Sequence, residues 1–330
     1  MATIKDVAQL AQVSTATVSR YFQSNDVVSP STQLRIKQAV QELNYSPNSI
    51  ASMLKSSRTN IVGLIVSDVN NVFFSYLIQA LNVSLSKLQK RLIVLYSDPN
   101  GTVSDQLRAL LSLRAEAAIF IPSKPSRSIE QLMNNVNCYP LQLFVDCFEK
   151  FDSLVVDDAY GTRLAAEELL GRGHRRILML DTDNAVYRHR REGFLRAFRE
   201  AGVPFSEEFV LALDTYDYIS RHEEIAEAIR RVRPTAILSV TNNLTQNVVC
   251  VLRKLGLEIP RNVSLVMYDE SDWAVLNDYT TITHPMEEMT NLIQTILPQN
   301  LYKPGAARQP FKRSVRPKLI RRGSVAPPKN

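Results

Sequence analysis

From Ile61 to the start of the C-terminal tail, short apolar runs alternate with amphipathic stretches, and this alternation restricts the fold more than any other feature of the chain. The strand candidates are 61–66, 92–96, 117–121, 141–145, 154–156, 176–180, 236–240 and 263–267. Between them lie helical patterns at 76–88, 103–113, 161–170, 191–201, 223–232 and 244–255. A crossover follows each strand, which predicts an α/β architecture of parallel sheets with helices on both faces. Roughly 230 residues of this pattern exceed the needs of one six-stranded sheet, so two similar lobes are expected.

The N-terminal segment breaks that pattern. Thr3-Ile4-Lys5-Asp6 reads as the acidic variant of a capping box, with the Thr3 hydroxyl placed to accept from the amide of Asp6. Val7, Ala8 and Ala11 follow on one narrow helical face. Ser14 can cap a second helix over 15–22. Ser29-Pro30 opens a third over 30–43, with Ile36, Ala39, Val40 and Leu43 at helical spacing. Three short helices with one shared apolar set and a tight joint at Val13-Ser14 describe a helix-turn-helix head. On a wheel of about 100° per residue, Val18, Tyr21 and Phe22 group on one side of the second helix. Ala16, Thr17, Ser19 and Arg20 group on the other. Short side chains let a helix seat deeply in a major groove, hydroxyls bond phosphates, and arginine can pair with guanine. Plain solvent exposure suits the same face, so the wheel leaves both readings open.

Charge and motif content narrow the function. The net charge is +6, and it is unevenly divided. Residues 1–60 carry six basic side chains against three acidic, and 299–330 carry nine against none, leaving 61–298 at −6. An acidic body with basic ends confines phosphate contact to one surface, although the C-terminal run on its own reads as a solvated tail. Cys138, Cys147 and Cys250 are too widely spaced for a disulfide framework or a zinc pattern. No apolar run approaches bilayer-spanning length, and no export signal opens the chain, so a cytoplasmic protein without a membrane partner is expected. Phosphate-cradling glycine motifs, the nucleophile elbow and the paired-histidine zinc helix are missing. The four histidines (His174, His189, His222, His284) are scattered. The expectation is therefore no catalytic residue, no metal and no cofactor.

A ligand site can still be placed by geometry, because ligands of open parallel sheets lie beyond the C-terminal strand ends. Asp68 follows the first strand, Asp146 the fourth, Asn242 the strand at 236–240, and Asp269 the strand at 263–267. Phe73 and Phe74 open the first body helix, and Arg190 precedes Gly193-Phe194. Carboxylates and amides that grip hydroxyls, aromatic faces and one arginine make a polyol-type pocket. Each residue also has a plainer role, since an acid after a strand often caps a helix and phenylalanine often fills a core.

Resemblance separates these readings. Residues 1–20, Met-Ala-Thr-Ile-Lys-Asp-Val-Ala-Gln-Leu-Ala-Gln-Val-Ser-Thr-Ala-Thr-Val-Ser-Arg, resemble the DNA-binding head of the lactose/galactose repressor (LacI/GalR) family. The likeness continues through Val28-Ser29, 42–48, Ile50-Ala51 and Leu54 to 58–66, nearly without gaps. It implies that Thr15, Ala16 and Arg20 face base edges while Thr17 and Ser19 hold phosphates. It implies a hinge helix over 47–55 that orders on DNA, with Leu54 wedged into the minor groove and Lys55 beside the duplex. Ser46 as a cap and Pro47 in the first turn suit a short helix there, one too short to be stable alone. The body resembles a two-lobed periplasmic-binding-protein-like sensor crossed three times by the chain, near Asp157, His284 and Lys318.

The implied domains are a head at 1–45, a hinge and linker at 46–60, and an effector-binding and dimerisation domain at 61–330. Its N-lobe covers about 61–157 and 285–318, and its C-lobe about 158–284 and 319–330. Asp68, Phe73, Phe74, Arg190, Asn242 and Asp269 match family effector positions, and Tyr216 roughly matches an aromatic lid. The sequence departs from the family at Ser67, Val72, Asp158, Asn243 and Met267, and Arg188, His189 and Arg191 flank Arg190. Those departures set a phosphorylated or carboxylated sugar against the neutral hexose of the common pattern. The expected protein is a homodimeric DNA-binding regulator, a repressor like most of the family, acting on a near-palindromic double-stranded operator under a small-molecule effector. The alternative is a sugar-binding or sugar-processing α/β protein without DNA function.

Overall fold

The computed structural model describes residues 2–23, 28–45, 59–68, 71–97, 103–122, 125–134, 137–182, 188–213, 221–301 and 309–329. The chain divides into two compact units, Met1–Thr59 and Asn60–Asn330.

The first unit holds α1 (Ile4–Leu10), α2 (Thr15–Gln23) and α3 (Pro30–Glu42). The capping box forms as the sequence predicts: the amide of Thr3 donates to Asp6 Oδ2 at 2.7 Å and that of Asp6 to Thr3 Oγ1 at 3.4 Å. The hydrogen bond from the Thr3 backbone holds the Asp6 carboxyl below its ordinary range. Val7, Ala8, Ala11, Val18, Val28, Ile36 and Ala39 close a small core between the helices.

The second unit contains two six-stranded sheets. The first runs β11-β5-β4-β3-β1-β2, all neighbours parallel, from β1 (Ile61–Val66), β2 (Arg91–Tyr96), β3 (Ala117–Phe120), β4 (Tyr139–Leu143), β5 (Asp152–Val156) and β11 (Lys312–Val315). The second runs β12-β10-β9-β8-β6-β7, from β6 (Ile177–Thr182), β7 (Val210–Leu213), β8 (Ala236–Ser239), β9 (Ser264–Tyr268), β10 (Thr280–Thr283) and β12 (Lys318–Ile320). Only β12 is antiparallel to its neighbour among these pairings. β1 lies inside its sheet and is buried along its whole length, which is why it reads as an unbroken apolar run.

The crossover helices are α4 (Val72–Lys87), α5 (Val103–Ser112), α6 (Arg127–Asn134), α7 (Asp158–Gly171), α8 (Arg188–Glu200), α9 (His222–Val232), α10 (Asn242–Lys254), α11 (Asp272–Leu276) and α12 (Met286–Asn300). The chain leaves the first sheet after Val156, returns to its helical layer after Thr283, and passes back between Val315 and Lys318. Each lobe has its own core, one around Leu64, Leu77, Leu141 and Ile293, the other around Leu178, Phe194, Ile237 and Val266.

The solvated-tail reading of the basic C-terminus is corrected. β11 and β12 place it in both sheets, and its bases meet body carboxylates: Lys312 on Asp146, Arg321 on Glu168 and Arg322 on Glu270. Partial burial pushes the Glu168 carboxyl up, but Arg321 and, from the body, Arg172 outweigh it and hold that carboxyl below its ordinary range. Backbone pairing recruits a segment whose composition alone suggests solvent.

Candidate functional site

On α2, Thr15, Ala16 and Arg20 are exposed, Thr17 and Ser19 are half-buried, and Val18 is fully buried. The burial of Val18 in the head core turns the polar face outward. Ser14 Oγ accepts from the amide of Thr17 at 3.1 Å and meets the Thr17 hydroxyl at 2.9 Å, so the cap also fixes that side chain. Phe22 departs from its expected inner position. It is 38% exposed and leans on Tyr21 and Tyr45, because so small a core cannot cover both aromatic rings. Leu54 and Lys55 lie outside the described residues, as does Tyr216.

In the body, strand ends from both sheets bring side chains together across 175 residues of chain. Asp68, after β1, accepts from Asn243 Nδ2 on α10 at 2.9 Å. The Tyr76 hydroxyl on α4 accepts from the amide of Asp272 at 3.2 Å. Asn242 is fully buried at the start of α10, where the Trp273 indole donates to its Oδ1 at 2.7 Å. That contact fixes the amide orientation, and Nδ2 has no hydrogen-bond partner among the described residues. Asp269 is buried after β9, 3.2 Å from His284 Nε2. Phe73 stands in the first turn of α4, below an Asn71 cap, with its ring 4.8 Å from His284 and 5.3 Å from Phe144.

Three expectations need correction. Arg190, expected as the arginine of the ligand pocket, is instead only 4% exposed, with its Nη2 3.2 Å from Asp158 Oδ1. It also donates to the Val240 carbonyl, and its guanidinium lies 3.8 Å over the Tyr268 ring. Of the flanking bases, His189 meets Glu192 and Arg191 meets Glu207. Phe74 belongs to the first lobe's core beside Leu77, so the core role wins there. Asp146 is exposed and held by Lys312 and by Gln142 Nε2, a pairing set by where β11 docks.

Comparison with known proteins bears on this geometry. Residues 3–48 match the model for bacterial regulatory proteins of the lacI family, and 166–325 match a periplasmic binding protein-like domain. The GalS transcriptional regulator of Salmonella typhimurium is 28% identical over 99% of this chain and 97% of its own length. The ribose operon repressor of Escherichia coli is 25% identical over 98% of this chain and its full length. A Lac repressor structure bound to ONPG superposes with a TM-score of 0.82 at 22% identity, covering 98% of this chain and 99% of that one. The chain joins a lacI-family DNA-binding head to a periplasmic-binding-protein-like domain. It is a DNA-binding transcriptional regulator rather than an enzyme, which sets aside the sugar-processing alternative.

Several residues of this regulator's cleft carried no recognisable sequence signal. Tyr268 donates its hydroxyl to the Asp158 carbonyl at 3.0 Å, and burial pushes that phenol's pKa well up. Asp158 stood out in the sequence only as a departure from the family, with no hint of its partner. Trp273 and His284 had no motif at all. A separate cavity of about 580 Å³ runs along α4 and α12 to α11, between Tyr76, Val83, Lys87, Val275 and Glu287. It shares Phe73, Tyr76, Asp272 and His284 with the cleft. Among the described residues, no His/Cys/Asp/Glu group is gathered to hold a metal ion, and no helix is long and apolar enough to cross a membrane.

Proposed function

We propose that this regulator is a cytoplasmic repressor that binds a near-palindromic operator as a homodimer, and that an uncharged, hydroxyl-rich effector held between the lobes controls its operator affinity. The observation that carries the DNA reading is the outward polar face of α2, with Arg20 exposed next to a fully buried Val18. Thr15, Ala16 and Arg20 would read base edges there and Thr17 and Ser19 would hold phosphates. The family resemblance adds Leu54 and Lys55 as further DNA contacts. Arg20→Ala should cost about 1–3 kcal/mol on an operator selected from random DNA and relax preference at one base pair per half-site. Equal loss on every sequence, read by competition binding, would reduce Arg20 to a phosphate contact.

The effector class follows from charge. Asp158 already neutralises the buried Arg190, so a phosphate or carboxylate would meet no uncompensated cation on that side chain. The buried Nδ2 of Asn242 and the carboxylates of Asp68 and Asp269 suit hydroxyl groups. Relatives point the same way: one is named a ribose operon repressor, and a similar structure holds cellobiose. In a thermal-shift screen, a neutral sugar at 100 times its Kd should stabilise by about 2.7 kcal/mol. A sugar phosphate or sugar acid giving the largest shift would overturn the charge argument.

Homodimerisation is supported by exposed apolar side chains. Leu276 is 84% exposed, and Val83 and Val275, each more than half exposed, line one cavity mouth. A twofold pairing through this face would cover them. Leu276→Arg should yield monomers in sedimentation velocity and weaken operator binding by on the order of 100-fold, since the two heads then bind separately. A stable dimer in that variant would place the interface elsewhere.

A further inference from the structure

Three neighbouring strands of the first sheet start at one level, where the chain coming from the head enters the body. Ile61 of β1 pairs with Arg91 of β2, and Val62 with Ala117 of β3. Asn60 therefore stands between Lys90 and Glu116, each of the three lying one residue before its strand. Both neighbours close on it. Lys90 Nζ donates to Asn60 Oδ1 at 3.1 Å, and the Asn60 amide donates to Glu116 Oε1 at 3.0 Å. The Asn60 carbonyl accepts from the amide of Arg91 at 2.7 Å. Lys90 and Glu116 also pair with each other, and their side chains are only 7% and 12% exposed.

Asn60 itself faces solvent, so this hold does not arise from packing. Its backbone sits in the left-handed region at φ +56°, which asparagine tolerates better than most residues but which still has to be imposed. A buried lysine–glutamate pair is also a poor way to gain stability. Desolvation offsets much of the attraction, and an apolar pair of similar volume is often as stable or more so. What this pair contributes is location: from the two strands on either side of β1 it fixes the amide and the side chain of one residue.

We propose that Lys90 and Glu116 are positioning residues for operator binding, which hold Asn60 in one conformation so that the chain toward the head always leaves the body from the same point. The connection then has fewer conformations to give up when the head is seated on DNA, and preorganisation of this kind raises affinity without any new contact. In the homodimer proposed above, it also fixes the distance between the two points of departure. The inference rests on the DNA reading of the head and makes no use of the effector.

The test separates position from stability. Lys90→Met combined with Glu116→Leu exchanges the pair for apolar side chains of similar volume, so the urea midpoint should stay near that of the wild type. Hydrogen exchange at the Asn60 amide should speed up, because its acceptor is gone. Affinity for an operator selected from random DNA should fall by about 10-fold, the scale of one residue's backbone freedom. Preference among bases should be unchanged, since the polar face of α2 is untouched. Asn60→Gly keeps the left-handed conformation accessible but deletes the Oδ1 acceptor, so it should weaken operator binding in the same direction even where the double variant folds poorly. Wild-type operator affinity in the folded double variant or in Asn60→Gly would overturn the proposal. So would a loss of affinity matched by an equal loss of urea stability, which would make the pair merely structural. Arg20→Ala, measured alongside, relaxes base preference whether or not Asn60 is held, so failure of the head reading is seen separately.

Discussion

Arg190→Ala is expected to cost about 3–5 kcal/mol of stability in urea unfolding, because it strands the buried Asp158 carboxylate without its partner. It also removes the guanidinium from the face of Tyr268 and its bond to the Val240 carbonyl. Operator binding by the single variant should therefore fall in step with its folded fraction. The informative companion is the double change Arg190→Met with Asp158→Asn. Exchanging both members of a buried ion pair for groups of similar volume is often close to neutral, so most of the lost stability should return. Operator binding should return with it. Wild-type stability in Arg190→Ala would show that the pair is solvated in solution and would reopen Arg190 as an anion contact.

Gly193→Ala should be comparably damaging for a different reason. A Cβ at this position would lie 2.0 Å from the carbonyl oxygen of Ala159 and 2.8–2.9 Å from its C and Cα atoms. These are backbone atoms of α7, which cannot rotate aside, so the two helices would have to move apart. Overpacking of this kind costs about 1–3 kcal/mol, occasionally more, and a backbone obstacle puts Gly193 at the upper end. Gly193 also follows Arg190 by one helical turn on α8, and the shift would pull the guanidinium away from Asp158. Urea unfolding should register the lost stability, and the thermal-shift screen should register weaker effector binding in the fraction that still folds. A loss below about 1 kcal/mol would mean that the α7–α8 contact is looser than the close approach implies.

Much of this architecture was legible in the residues themselves. The Thr3–Asp6 box, the Ser14 cap and the proline opening α3 are local signals, and each marks a helix start in the structure. β1, β3, β6, β8 and β9 were readable because parallel strands covered on both faces become continuous apolar runs. The helical spacing of Met289, Ile293, Ile296 and Leu297 in α12 is equally readable, although no helix was placed there from sequence. β10, with the sequence Thr-Thr-Ile-Thr, and the basic β11 carry no such period. They are strands because β9 and β5 offer open edges to pair with.

The cleft divides along the same line. The sequence by itself determined which residues follow strand ends and would stand near a ligand: Asp68, Asn242 and Asp269. Only the tertiary structure decided that Arg190 is consumed by Asp158, that Phe74 turns into the core while Phe73 meets His284, and that Lys312 takes Asp146. Periodicity records which face of an element is buried, because burial acts on every turn of a helix or every second residue of a strand. Which charged side chains meet depends on sheet order and on how closely two helices approach, and those are set by contacts between residues far apart in the chain.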